Sequence, residues 1–158
     1  MTANNVTRML DAKKVAYQAF EVPAVKLSAL EVADYLGLSP GEVFKTIVCK
    51  RLSPGKHILA LVPATSEVNS KKLASALNDK KIAITSQDEA ERMTGLLSGG
   101  ISPLALLNKG FQVVIDASTH EREHIIVSAG QRGLQVRISV DALARLTQAR
   151  FAEIAEKK

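Results

Sequence analysis

The sequence has no tryptophan, and aromatic residues fill only 4% of its 158 positions. A core dominated by stacked rings is excluded, so the interior must be aliphatic, drawn from the 46% of residues that are hydrophobic. Cysteine occurs once, at Cys49, which rules out an internal disulfide and suits a reducing, cytoplasmic setting. Long apolar runs are missing. The longest, "ILALVPA" at 58–64, falls far short of the ~20 residues of a membrane-crossing helix. The opening "MTANNVTRMLDAKK" holds no apolar segment of the secretory kind, so no signal is expected. Repeats, low-complexity tracts and long linkers are also missing, and residues 1–158 are expected to form one domain.

What is present is a net charge of +5, unevenly placed. Residues 1–81 carry 12 Lys/Arg against 7 Asp/Glu, whereas residues 82–158 carry 9 against 9. An excess confined to one half fits a basic face for a phosphate-bearing partner. It equally fits a surplus that serves solubility.

Local patterns predict a mixture of helices and strands. Helices are expected over 3–14, from Ser28 to Leu36, from Ser70, from Ser86 to Gly95, and over 140–155. "SALE" at 28–31 and "SQDE" at 86–89 have the spacing of capping boxes. Strands are expected at 15–22, 44–50, 57–63, 81–84, 111–118, 124–129 and 134–138. Strict βα alternation is lacking, so the reading is α+β: one mixed, barrel-like sheet flanked by helices.

Several residues invite a chemical reading. "HEREH" at 120–124 matches the His-Glu-x-x-His zinc signature, but that motif works only on a helix, where both imidazoles share a face. Here it lies between strand patterns, which favours a polar connection and no metal site. Cys49 alternates with Ile47 on a strand and reads as a small hydrophobe, with no histidine spaced to activate it. "SGGISP" at 98–103 offers adjacent glycines whose N–H groups can face a ligand, or else a flexible connector. "SAGQRG" at 128–133 offers a second glycine-bearing turn with Arg132, or an ordinary β-turn. Lys45 shares a strand face with Ile47 and Cys49. An inward lysine is costly unless an anion meets it, whereas one at the sheet margin can extend its ammonium to water.

Taken together, "FKTIVC", "TGLLSGGISPL" and "IIVSAGQRGL" resemble the YbaK/EbsC family, free-standing relatives of the editing domain of bacterial prolyl-tRNA synthetases. The similarity extends from about Val6 to Ile154. It implies hydrolysis of the ester of mischarged aminoacyl-tRNA, most often Cys-tRNA(Pro), without a metal or other cofactor. It implies that Lys45, beside Thr46, meets the 3′-terminal nucleotide and its phosphate. It also implies that the segment from Gly99 and Gly100 through Ser102 to Pro103 faces the aminoacyl ester, and that Ser128 lines the pocket. In the cysteinyl case the substrate's own thiol is the implied nucleophile, leaving as a thiolactone. Transient contact with prolyl-tRNA synthetase is a further implication.

Two positions depart from the family pattern. Ser28 stands where cysteinyl-tRNA members often have phenylalanine, and Gln135 where they have aspartate; Phe20 is a candidate to replace the lost aromatic wall. Another specificity, such as Ala-tRNA(Pro) attacked by water, is the alternative. An inactive RNA- or synthetase-binding module is a third reading.

Overall fold

A computed structural model describes residues 3–157. In chain order the elements are helix α1 (Asn5–Ala12), strand β1 (Tyr17–Glu21), helix α2 (Ala29–Leu36), and strands β2 (Phe44–Arg51), β3 (Ile58–Pro63) and β4 (Ser66–Val68). Helix α3 (Ser70–Ala76), strand β5 (Ile82–Ile84) and helix α4 (Gln87–Thr94) follow. Then come strands β6 (Gln112–Asp116), β7 (His124–Ser128) and β8 (Leu134–Ser139), helix α5 (Val140–Thr147), and strands β9 (Arg150–Ala152) and β10 (Ala155–Lys157). Short 3-10 turns occupy Pro40–Glu42, Pro103–Ala105 and Ala117–Glu121. The fold class is α+β, as the local patterns predict.

Helix ends follow their capping residues. The Ser28 hydroxyl accepts from the Glu31 N–H at 3.1 Å, and the Glu31 carboxylate accepts from the Ser28 N–H at 2.9 Å. Such a cap typically contributes ~1 kcal/mol. Gly37, at φ +68°, ends α2. At α4 only half of the expected box forms: Ser86 accepts from the Glu89 N–H, but the Glu89 carboxylate pairs with Lys50 at 2.8 Å instead.

The strands divide among three sheets rather than one. Strand order is β5-β2-β3-β6-β9 in the largest, β1-β8-β7 in the second and β10-β4 in the third. The five-stranded sheet is mixed: β2 pairs antiparallel with β3 and β5, while β3–β6 and β6–β9 are parallel. It keeps β5 and β9 as edges and does not close into a barrel. All six residues of β3 are buried. Its side chains alternate between two cores, Leu59 and Leu61 on one face, Ile58, Ala60 and Val62 on the other. A strand covered on both faces reads as a continuous apolar run, and each large side chain so buried contributes ~1.5–3 kcal/mol.

The expected helix over 140–155 stops at Thr147, where Gln148 takes φ +55°, and the chain continues as β9 and β10. The cause is tertiary. Asp116 Oδ1 accepts from the N–H groups of Ile154 and Ala155, each at 3.0 Å, and β9 pairs with β6. The strand expected over 111–118 ends at Asp116 for a related reason, since Asp116 Oδ2 accepts from the Ser118 N–H and turns the chain. Burial pushes the Asp116 carboxyl up, but these hydrogen bonds from Ser118, Ile154 and Ala155 outweigh it and hold it below its ordinary value.

The two larger sheets share a core, and an isolated backbone bridge also links them. Val43, just before β2, forms an isolated parallel bridge with Ile126 of β7. Val43 and Ile126 pack with Val22, Val32 and Ala33, which seats α2 over the junction. Among the described residues no helix is long and apolar enough to cross a membrane.

Candidate active site

Beyond the Val43–Ile126 bridge, β2 and β7 part, and a cavity of about 360 Å³ lies in the opening. One wall is the first half of β2, Phe44–Val48. Ser128 of β7 and Gln135 of β8 stand opposite. The loop before α2 contributes Lys26 and Leu27, the start of α4 contributes Ser86, Gln87 and Ala90, and Ser98, Gly99 and Ile101 close the remaining side. The volume lies within the usual range of small-ligand sites.

The residues singled out from sequence separate into two groups. Ser28, Lys45, Thr46, Gly99, Ser128 and Gln135 all line this cavity, although they come from five different segments. Phe20, Gly100, Ser102 and Pro103 do not line it. Phe20 lies directly across from Gln135 in the β1–β8 ladder and packs toward Val22 and Val32. Ser102 is fully buried, and its hydroxyl caps the Pro103–Ala105 turn by accepting from the Leu104 N–H at 3.1 Å. Pro103 is the first residue of that turn.

Gly100 corrects an expectation. Its N–H donates to the Leu97 carbonyl at 2.8 Å, so it is committed within the loop. Glycine is required there for another reason: a Cβ would lie 2.9 Å from the backbone of Gln131. Gly99, at φ +89°, is the member of the pair that faces the cavity. Its loop is held from both sides, for the Ser98 N–H donates to Glu91 at 2.8 Å and the Ser98 carbonyl accepts from Arg132 Nε at 2.8 Å. Hydrogen bonding from Ser98 holds the Glu91 carboxyl below its ordinary value, and the nearby charges of Arg132 and Lys26 add to the effect.

Gln135 and Ser128 form a cross-strand pair. Gln135 is only 5% exposed and lines the cavity. Ser128 Oγ accepts from the Gly130 N–H at 3.2 Å. Lys45 is partly buried on the β2 wall, opposite Val62 of β3.

Cys49 lies farther along β2, fully buried, and burial pushes its thiol up to about 12. A thiol so protonated is inert as a nucleophile. The histidines of "HEREH" lie on a 3-10 turn and at the start of β7, not on one helical face; His120 stacks on Phe151, with ring centroids 5.3 Å apart. Among the described residues no three His, Cys, Asp or Glu side chains form a group able to hold a metal ion.

Sequence reasoning missed Lys26, Thr85 and Gln87. They sit on loops and helix starts far apart in the chain. Only the capping pattern at 86–89 marked one of these places, and it marked a helix end rather than a pocket.

With this geometry in hand, comparison with known proteins is informative. Residues 23–146 match the family model described as the aminoacyl-tRNA editing domain. A protein of Enterococcus faecalis, EbsC, named as a Cys-tRNA(Pro)/Cys-tRNA(Cys) deacylase, is 36% identical over 156 residues, covering 98% of this chain and 94% of that protein. A proline–tRNA ligase of Staphylococcus aureus is 30% identical over 116 residues, covering 73% of this chain but 20% of the ligase. Among solved structures, hypothetical protein APE2540 superposes with a TM-score of 0.87 at 21% identity, covering 97% of this chain and 100% of that one. A protein described as a trans-editing enzyme for prolyl-tRNA synthetase superposes with a TM-score of 0.79 at 20% identity, covering 99% of each chain.

Proposed function

We propose that the protein, which belongs to the aminoacyl-tRNA editing domain family and is thereby an aminoacyl-tRNA deacylase, acts in trans on Cys-tRNA(Pro). The observation that carries this reading is a cavity that assembles positioning groups without an activated nucleophile. Lys45, Gly99, Ser128 and Gln135 line it, while the chain's one thiol is buried and held protonated. The name borne by the Enterococcus faecalis relative supports the cysteinyl specificity.

In the proposed reaction the substrate's cysteine side chain supplies the nucleophile. Its thiol gives up a proton and the sulfur bonds to the carbonyl carbon. The C–O ester bond breaks, and the terminal ribose oxygen leaves and takes up a proton. The products are a cysteine thiolactone and free tRNA. The protein contributes proximity and orientation, and the Gly99 backbone N–H is the loop donor for the developing oxyanion. Lys45 meets the phosphate of the terminal nucleotide. Gln135, a neutral carboxamide among buried strands, contacts the aminoacyl group. The ligase match shows a similar module within a synthetase, and in this proposal the deacylase gains tRNA selectivity by transient association with prolyl-tRNA synthetase. A site of action beside the translation machinery, in the cytoplasm, belongs to the same proposal.

A second reading has its own support. Ser28 is fully engaged as the cap of α2, and Gln135 cannot carry a negative charge. Both features suit another acyl group, such as Ala-tRNA(Pro), for which water must attack. Deacylation of Cys-, Ala-, Ser- and Pro-tRNA(Pro), with and without the synthetase, separates the readings. The thiol mechanism requires rapid turnover of the cysteinyl ester alone and a trapped thiolactone. Equal turnover of Cys- and Ala-tRNA(Pro) would replace it with water attack. Binding without hydrolysis of any ester would leave an RNA- or synthetase-binding module.

A further inference from the structure

The register of β2 decides which of its backbone groups are taken. The Val43 carbonyl accepts from the Ala64 N–H at 2.8 Å, toward β3, and the Val48 carbonyl accepts from the Thr85 N–H at 3.1 Å, on the other side. Successive residues of an antiparallel strand alternate sides. Lys45, Ile47 and Cys49 therefore turn their backbone groups to β3, whereas Phe44, Thr46 and Val48 turn theirs away. Pro63, which has no N–H, stands opposite Phe44, as this parity requires. On the outer side β5 pairs only with Cys49–Arg51. The first half of β2 thus presents an uncovered sheet edge, and that edge is a wall of the cavity.

The facing strand behaves alike. The Ala129 N–H donates to the Leu134 carbonyl at 3.0 Å, so Ser128 turns its own N–H and C=O away from β8. At the far end of the β2 edge, the Val48 carbonyl is occupied by both the backbone and the hydroxyl of Thr85. Before it, the Phe44 carbonyl and the Thr46 N–H lie side by side on this outer edge as an acceptor and a donor.

We propose that this pair reads the base of the nucleotide that carries the ester, an adenine. The proposal rests on the aminoacyl-tRNA reading above, since every tRNA ends in an adenosine whose ribose bears the acyl group. On its Watson–Crick edge adenine sets the exocyclic amine donor beside the ring N1 acceptor. The Phe44 carbonyl accepts from the amine, and the Thr46 N–H donates to the ring nitrogen. Val32, Ala90 and Ile101 offer apolar surface to the ring faces. The edge is shorter than an ordinary strand. Between the bridge at Val43 and the Thr85 contact at Val48, Phe44–Ile47 span ~13 Å at ~3.3 Å per residue, against the ~17–20 Å of an ordinary strand. A flat ring needs only one donor–acceptor pair.

Inosine reverses that pattern, because its ring nitrogen carries a proton and its exocyclic group is a carbonyl. Two readouts test the proposal. In the first, AMP and IMP are titrated into isotopically labelled protein. AMP is expected to shift the Thr46 amide resonance and to bind at least about tenfold more tightly than IMP, the discrimination typical of such a pair. In the second, aminoacylated tRNA ending in inosine is expected to lose at least about tenfold in kcat/KM relative to adenosine. Replacing the Thr46 peptide N–H by an ester oxygen should abolish the preference while the protein stays folded. Equal binding of AMP and IMP, or preference unchanged in the backbone ester, would overturn base recognition at this edge. The deacylase reading fails separately, if no aminoacyl ester ending in adenosine is hydrolysed; the nucleotide titration then still decides the base proposal.

Discussion

The two halves of β2 differ in what surrounds them. From Cys49 to Arg51 the strand is paired with β5 on its outer side, and its cations meet carboxylates of the protein: Lys50 with Glu89, Arg51 with Asp79. Arg51 also reaches the Gln112 side chain and the Lys56 carbonyl. From Phe44 to Val48 no strand among the described residues forms a ladder with the outer edge, and this stretch lines a cavity. The same strand is paired on both sides at one end and lines a cavity at the other. The lesson is that the site lies where pairing stops, held by a strand whose other end is fully committed.

The sharpest way to break this comparison is at Lys45. The Lys45→Ala protein is expected to lose about 10²-fold or more in deacylation, the scale of misplacing a bound substrate, while keeping its circular dichroism spectrum and most of its Tm. Collapse of the fold would make the open half structural as well.

Across the cavity, Gly99→Val tests the loop that faces this half. Valine resists the φ of +89° found there, so the loop should shift and deacylation should fall by roughly 10²-fold. An unperturbed kcat/KM would remove the Gly99 backbone from the mechanism.

Cys49→Ala is the matching change in the paired half. It deletes a buried sulfur and should cost about 1 kcal/mol in chemical denaturation, with activity kept within about twofold because the thiol plays no part in the step. Loss of activity in a folded Cys49→Ala protein would return the nucleophile to the protein. Thiol reagents should modify Cys49 only on unfolding.

The smallest effect is expected from a group that touches neither half. Asp116 ties the chain before β10 to the end of β6, and its carboxyl titrates below its ordinary value in the folded state. A depressed folded value means that its contribution is fully present above the unfolded pKa of about 3.9 and is lost as pH falls through the lower folded value. Tm should therefore drop on acidification below about pH 4, and the Asp116→Asn protein should show less of this dependence. Identical pH profiles for the two proteins would assign the acid sensitivity to other carboxylates.

Much of this was legible in the residues themselves. Ser28, Glu31 and Gly37 set the ends of α2 through contacts three or four residues apart, and short-range chemistry of that kind is written locally. The apolar run of β3 announced a strand covered on both faces. The C-terminal helix was overextended because residues beyond Thr147 keep an apolar pattern whose partners, β6 and Asp116, are distant in sequence. Ser102 and Pro103 sit in the right motif, but they build the turn beside the site rather than its wall.

By itself the sequence determined an aliphatic α+β protein without disulfides, the capped helices, and the motifs around Lys45, Gly99 and Ser128, because each depends on neighbouring residue types. Only the tertiary structure decided that these motifs meet in one cavity, that the Gly100 N–H is spent on Leu97, and that Thr46 faces an uncovered edge. Those outcomes depend on strand register and on the parting of β2 from β7. The second arises where Val43 meets Ile126, some eighty residues away, and no local pattern encodes a partner at that distance.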